Sequence, residues 1–185
     1  MYSTSDIRKG LRVEFDGQPY EVIEFLHVKV QQRPAFVRTK VRNMITGAVL
    51  EKNIKSGEKL ARPDLVNRNA QFLYREDENY VFMITDTYDQ ITLTPEAVGE
   101  ARNYLQENDE VQLMEFNGAV VTVSVANFVI LPVIQTDPGV RGDTVQGGSK
   151  PATLSTGFVV TVPLFIKEGD KVRVDTRTGD YMERA

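Results

Sequence analysis

The side chains able to do chemistry are few. The chain has 185 residues, one histidine and no cysteine. Absence of cysteine removes disulfide frameworks, thiolate zinc sites, iron–sulfur clusters and thiol nucleophiles together. A triad or a zinc-hydrolase site would have to rest on His27 alone, although such sites need an imidazole base or several imidazole ligands. A lone strand histidine is more often half-buried structure than a base. The turn Asp175-Thr176-Arg177-Thr178-Gly179-Asp180-Tyr181 places two carboxylates near each other, a pattern that also occurs as plain capping. Glu76-Asp77-Glu78 reads as a solvated turn. No constellation assembles a nucleophile, a base and an electrophile, so the expectation is a non-enzyme without metal or cofactor.

Binding is the richer signal. Val30-Gln31-Gln32-Arg33-Pro34 lies between two strands and exposes two amides and a guanidinium, groups suited to phosphate or base contacts. A plain hairpin tip is the alternative reading. Asp137-Pro138-Gly139-Val140-Arg141-Gly142-Asp143-Thr144 is a second loop in which glycine allows close backbone approach, while Arg141 and Thr144 can donate to phosphate or ribose. Its spacing is not that of a nucleotide phosphate cradle. The Arg-Gly-Asp tripeptide within it is read as coincidence, since no secretory signal accompanies it.

Net charge is −4, with 22 Lys plus Arg against 26 Asp plus Glu. That total argues against a nucleic-acid partner until it is divided. Residues 1–63 carry 12 basic and 7 acidic side chains, residues 64–131 carry 3 and 12, and residues 132–185 carry 7 and 7. The first piece is therefore basic and the second strongly acidic. Residues 26–50 hold Lys29, Arg33, Arg38, Lys40 and Arg42 with no carboxylate among them. An ordinary solvated strand face and a phosphate-binding face are equally good accounts of that stretch.

The elements that position these residues are strands. Most of the chain alternates with period two and is rich in Val, Ile, Thr, Tyr and Phe. Along residues 36–42, Phe36, Arg38, Lys40 and Arg42 fall on one face and Val37, Thr39 and Val41 on the other. Asp16-Gly17 and Asn117-Gly118 mark tight hairpins. Thr94 as N-cap, Pro95 and Glu96 in the first turn, then Ala97, Val98, Ala101, Tyr104 and Leu105 at helical spacing, predict a helix in the middle piece. Prolines and turn formers place breaks at Arg62-Pro63-Asp64 and from Leu131-Pro132 to Asp137-Pro138-Gly139. The expectation is an all-β chain of three small barrels spanning residues 1–63, 64–131 and 132–185, the middle one of oligonucleotide-binding (OB) type with one short helix. The N-terminus has no apolar core, so neither a signal peptide nor a membrane partner is expected.

Several segments are similar to one family. Val37-Arg38-Thr39-Lys40-Val41-Arg42-Asn43-Met44-Ile45-Thr46-Gly47, Gln71-Phe72-Leu73-Tyr74, Pro138-Gly139-Val140-Arg141-Gly142-Asp143-Thr144, Lys150-Pro151-Ala152 and Val174-Asp175-Thr176-Arg177-Thr178-Gly179-Asp180-Tyr181 resemble bacterial translation elongation factor P, in order and spacing. The resemblance covers essentially the whole chain. It implies an SH3-like, KOW-type barrel followed by two OB-fold barrels arranged as an L that mimics tRNA. It further implies a cytoplasmic monomer that binds the 70S ribosome, both rRNA and ribosomal proteins, beside P-site peptidyl-tRNA, and relieves stalling at consecutive prolines.

By that resemblance, Lys29, Gln31, Gln32, Arg33 and Pro34 form the loop facing the peptidyl-transferase centre. Arg38, Lys40 and Arg42 form an RNA-binding face. Arg141, Gly142, Asp143, Thr144 and Arg177 contact the small subunit and the E-site mRNA codon. One departure matters: the family's modified basic residue falls on Gln32, which has neither the amine nor the guanidinium that modifying enzymes use. An unmodified tip assisted by Arg33 is the expectation. Two other classes compete with this reading. A general single-stranded RNA-binding module would show exposed aromatics along a barrel groove. An enzyme would depend on His27 or on the Asp175 and Asp180 pair.

Overall fold

The computed structural model describes residues 1–29, 34–139 and 147–185. Its first four strands, β1 (Arg12–Phe15), β2 (Gln18–Val28), β3 (Phe36–Asn43) and β4 (Val49–Lys55), form an antiparallel meander in chain order. Asp16 and Gly17 join β1 to β2 with φ of 51° and 71°. Such two-residue turns match the right-handed twist of their strands. The register of β2 on β3 slips between Val22 and Glu24, and such an irregularity bends a long strand. Bridges Tyr2↔Leu60 and Glu14↔Ala61 cover the β1 edge. Ile7, Leu11, Val13, Val22, Val37, Val41, Ile54 and Leu60 fill the interior of this curled, barrel-like sheet.

Strands β5 (Leu65–Glu76), β6 (Asn79–Ile84), β7 (Gln90–Leu93), β8 (Glu110–Phe116) and β9 (Ala119–Ser124) make a second sheet in the order β7-β6-β5-β8-β9. The helix expected across residues 94–105 is shorter than its apolar spacing predicts. Thr94 caps it as expected, its hydroxyl accepting from the Ala97 amide at 3.4 Å, but α1 is only Pro95–Val98. Gly99 ends it with φ of 63°, a left-handed backbone that no α-helix continues through. The chain proceeds as a 3-10 segment, Gly99–Asn103, and still buries Val98, Ala101, Tyr104 and Leu105.

Strands β10 (Phe128–Thr136), β11 (Ser149–Leu154), β12 (Val159–Pro163), β13 (Lys171–Asp175) and β14 (Asp180–Arg184) make the third sheet, in the order β12-β11-β10-β13-β14. β10 runs straight through Leu131-Pro132. β10 pairs with β13 over residues 128–132 and with β11 from Val133 onward. Pro132 thus stands where pairing changes sides, a place in a strand that tolerates a missing N–H. Leu131, Val133, Leu154, Val160, Val162, Ile166, Val172 and Val174 form the core, and Tyr104 joins it.

Contacts group the chain into two compact units: Met1–Asn67 with Met114–Thr122, and Arg68–Leu113 with Val123–Ala185. Within the second, Thr156 Oγ1 donates to the Asn103 carbonyl at 2.6 Å, and Gln106 Nε2 donates to the Ile130 carbonyl at 2.9 Å. Among the described residues no helix is long and apolar enough to cross a membrane.

Candidate nucleic-acid interface

β2 and β3 form a hairpin whose last registered pair is Val28↔Phe36. Lys29 and Pro34 stand exposed at its end, and Gln31, Gln32 and Arg33 lie outside the described residues. Along β3 the burial alternates as expected. Val37, Thr39, Val41 and Asn43 point inward, Arg38 and Arg42 are exposed, and Phe36 and Lys40 are half-buried on the outer side. The inward polar groups are satisfied. Thr39 Oγ1 donates to the Lys52 carbonyl at 2.8 Å. Asn43 Nδ2 donates to Gln18 Oε1 at 2.5 Å, and its Oδ1 accepts the Ile45 and Thr46 amides at 2.8 and 3.0 Å. Asn43 therefore ties the β3–β4 turn to β2 and keeps the outer row facing out.

The outer row is not uniformly positive. Glu24 sits opposite Lys40 on β2, and Glu51 sits opposite it on β4. Lys40 Nζ lies 3.3 Å from Glu24 Oε2. The carboxylates that bracket the basic stretch in sequence thus return to its middle in space. His27 is exposed, with its ring edge-on to Phe25 at 5.7 Å, and among the described residues no carboxylate orients it as a base.

Of the second predicted loop, Arg141, Gly142, Asp143 and Thr144 lie outside the described residues. Its footing is well defined. Lys150 is 7 % exposed and its Nζ donates to the Asp137 carbonyl at 2.5 Å. Thr136 Oγ1 donates to the Pro151 carbonyl at 2.8 Å. A Cβ on Gly139 would lie 2.5 Å from the Leu164 carbonyl oxygen, so only glycine passes there without displacing backbone.

Arg177 lies in the β13–β14 turn and holds Asp175 through two side-chain bonds, Nε to Oδ1 at 3.0 Å and Nη2 to Oδ2 at 2.7 Å. These bonds, led by the guanidinium, hold the Asp175 carboxyl below its ordinary range, and the same pairing raises Arg177. Asp175 and Asp180 are register partners across the turn. A carboxylate committed to a guanidinium fork is no proton shuttle, so Asp175 serves here as one half of an ion pair. Phe128 lies beneath the Arg173 and Arg177 guanidinium carbons, at 4.5 and 5.4 Å from its ring centroid. Among the described residues no group of three or more His, Asp or Glu side chains could hold a metal ion.

Sequence reasoning passed over a second set of cations in the first unit, Arg8, Lys9, Arg12 and Arg62, which line one cleft. Arg8, Lys9 and Arg12 are neighbours in the chain and only Arg62 is distant, and their advance signal is the basic balance of the first piece.

Curled antiparallel sheets with charged strand faces and defined loop footings make this an all-β protein of small barrel-like sheets. Three family descriptions match in succession: "Elongation factor P (EF-P) KOW-like domain" over residues 3–60, "Elongation factor P (EF-P) OB domain" over 65–123, and "Elongation factor P, C-terminal" over 129–184. The chain belongs to the elongation factor P family. It is 51 % identical over 184 residues to the elongation factor P of Pelotomaculum thermopropionicum, covering 100 % of both chains. It is 52 % identical to that of Synechococcus sp. (strain JA-3-3Ab), again over 100 % of both. Among solved structures it resembles the eukaryotic translation initiation factor 5A from Methanococcus jannaschii, with a TM-score of 0.55 at 21 % identity, covering 66 % of this chain and 92 % of that one. That likeness concerns the fold.

Proposed function

We propose that the chain is a ribosome-binding elongation factor that sits beside P-site peptidyl-tRNA and stimulates peptide-bond formation, relieving stalls at consecutive prolines. The observation that carries this reading is the end-to-end match to relatives named elongation factor P, at about half identity. The geometry is consistent with it: Arg38, Lys40 and Arg42 share one outer strand face, and Lys29 and Pro34 stand at the end of that hairpin. Proline is a conformationally restricted nucleophile, so a factor that positions the P-site substrate contributes entropically while the ribosome performs the chemistry.

In this proposal the tip approaches the CCA end, unmodified at Gln32 and assisted by Arg33. Arg141, Gly142, Asp143, Thr144 and Arg177 approach the small subunit and the E-site codon, and the protein acts as a cytoplasmic monomer. Co-sedimentation with ribosomes and rescue of a polyproline reporter test the reading, and failure of both at physiological salt overturns it. Arg33→Ala is expected to weaken rescue more than Arg102→Ala. Intact-mass measurement of the native protein tests the tip, where a mass increment mapped to Arg33 contradicts an unmodified loop.

A further inference from the structure

Arg8, Lys9, Arg12 and Arg62 converge on a cleft of about 330 Å³ in the first unit, with Tyr2 and Asn67 also in its wall. The fold explains how Arg62 meets the three cations of residues 8–12. Ile7 and Leu11 are buried and pin a turn between them, where the Leu11 amide donates to the Arg8 carbonyl at 3.1 Å and the Gly10 amide to the Val22 carbonyl at 2.7 Å. Gly10, at φ of 84°, lets that turn project Arg8 and Lys9 outward. Tyr2 and Leu60 exchange two backbone bonds of 2.8 Å, which brings the strand leaving the sheet, and Arg62 with it, alongside the same turn. Arg12 projects from β1, on the edge of the sheet, whereas Arg38, Lys40 and Arg42 belong to β3 in its interior.

The two basic sets differ in how their charge is compensated. The β3 row has Glu24 and Glu51 directly across from Lys40. No carboxylate lines the cleft. Among the described residues, Asp6, Glu21 and Asp64, its neighbours by sequence or register, make no ion pair with any of its four cations. Asp6 accepts the Ser3 amide and hydroxyl, at 2.7 and 2.8 Å, and feels the Arg8 charge without pairing to it; Glu21 stands across from Arg12 in register, also without an ion pair. All four cations are exposed.

We infer that this cleft is a second RNA-backbone site, in which Arg8, Lys9, Arg12 and Arg62 take phosphates independently of the β3 row. Three guanidinium forks match phosphate oxygens in pairs, and the Tyr2 hydroxyl and Asn67 amide add neutral donors of the kind that contact sugar and phosphate. The exposure selects a polyanion. A lone phosphate ion at a solvated site gains little against screening, whereas each backbone phosphate neutralised on RNA releases condensed counterions. The anionic chemistry stands on the cleft alone; that the RNA is ribosomal or transfer RNA rests on the function proposed above.

The test uses the full-length chain, with Arg8→Gln/Arg62→Gln as the variant, Arg8→Lys/Arg62→Lys as a charge-keeping partner and Arg102→Gln as a control. Binding is measured at several salt concentrations to programmed ribosomes carrying P-site tRNA and, separately, to a fluorescent A-form RNA duplex. The double Gln variant is expected to bind both probes about tenfold more weakly and to flatten the salt slope by about 2, near 1 per phosphate contact removed. The Lys pair should keep most of the slope, which also shows that the turn still folds. Unchanged affinity and slope for the Gln variant on both probes overturn the inference. If the parent fails to bind ribosomes, the proposed function falls, and the cleft is then decided by the duplex, where absence of binding or indifference to the Gln pair rejects it. Loss of concentration-dependent self-association without loss of RNA binding would assign the cleft to a protein partner and likewise overturn it.

Discussion

Lys40 Nζ lies 3.3 Å from Glu24 Oε2, with Glu51 in register on the strand at Lys40's other side. Both groups of the pair keep much of their side chains in water, 39 % for Lys40 and 71 % for Glu24. Such bridges add little to stability, generally under about 1 kcal/mol. The effect of Glu24 is on the field: it lowers the positive potential at the centre of the β3 row.

Glu24→Gln therefore separates the two consequences. If the row faces RNA, the substitution raises ribosome affinity a few-fold at low salt and steepens the salt dependence, because Lys40 is released to meet phosphate. Thermal stability should move by less than about 0.5 kcal/mol, as for most surface substitutions. Unchanged binding, measured by anisotropy or co-sedimentation across salt concentrations, would mean that the row faces solvent.

Gly139→Ala tests the footing of the third-sheet loop. The added Cβ would meet the Leu164 carbonyl oxygen at 2.5 Å. Neither partner is the flexible end of a side chain, so backbone must move. The expected loss is about 1 to 3 kcal/mol, typical of forcing atoms into a filled space. Denaturant unfolding monitors it, and a stability equal to that of the parent contradicts the close approach.

The β13–β14 turn makes an acid-limb prediction. Asp175 is bonded by Arg177 and held below its ordinary carboxyl range. Its contribution is complete above the unfolded-state value near 4 and disappears as pH falls through the lower folded value. Asp175→Asn should therefore be less stable than the parent at pH 7, with the difference shrinking as acid is added. A difference that persists undiminished to the lowest pH would show that the ion pair is not its source.

The strands were legible because half-buried sheets alternate. Val37, Thr39 and Val41 occupy the inward positions that period two assigns them, and Asp16-Gly17 turns with both φ positive as its residue types require. Legibility ended where the deciding contact is distant in sequence. Pro132 stands at a change of pairing partner, which is a property of the sheet and leaves no mark on the local sequence. The helix was overextended because apolar spacing is preserved through a 3-10 segment, while Gly99's backbone angle, which ends α1, leaves no mark on that spacing. The same blindness applied to charge: residues 26–50 contain no carboxylate, but register places Glu24 and Glu51 beside Lys40.

Tyr104 gives the sharpest stability prediction. It leaves the 3-10 segment and enters the core of the third sheet, 5 % exposed, with its ring edge-on to Phe158 at 5.3 Å. Tyr104→Ala removes an aromatic from a packed interior and should cost about 3 to 5 kcal/mol. Burial raises the phenol's pKa above 10.0, and the nearby carboxylates Glu100, Asp175 and Asp180 raise it further. A group whose folded pKa is raised contributes fully below its unfolded value, and that contribution is lost as pH climbs through the folded one. The parent should thus lose stability in alkali above about pH 10, where an unfolded tyrosine ionises and a folded Tyr104 resists. Tyr104→Phe keeps the ring and removes the titration, so its alkaline limb should be flatter than the parent's while its stability at pH 7 stays close. Chemical denaturation of both proteins from pH 8 to 11 reads this directly, and parallel alkaline limbs would place the titrating group elsewhere.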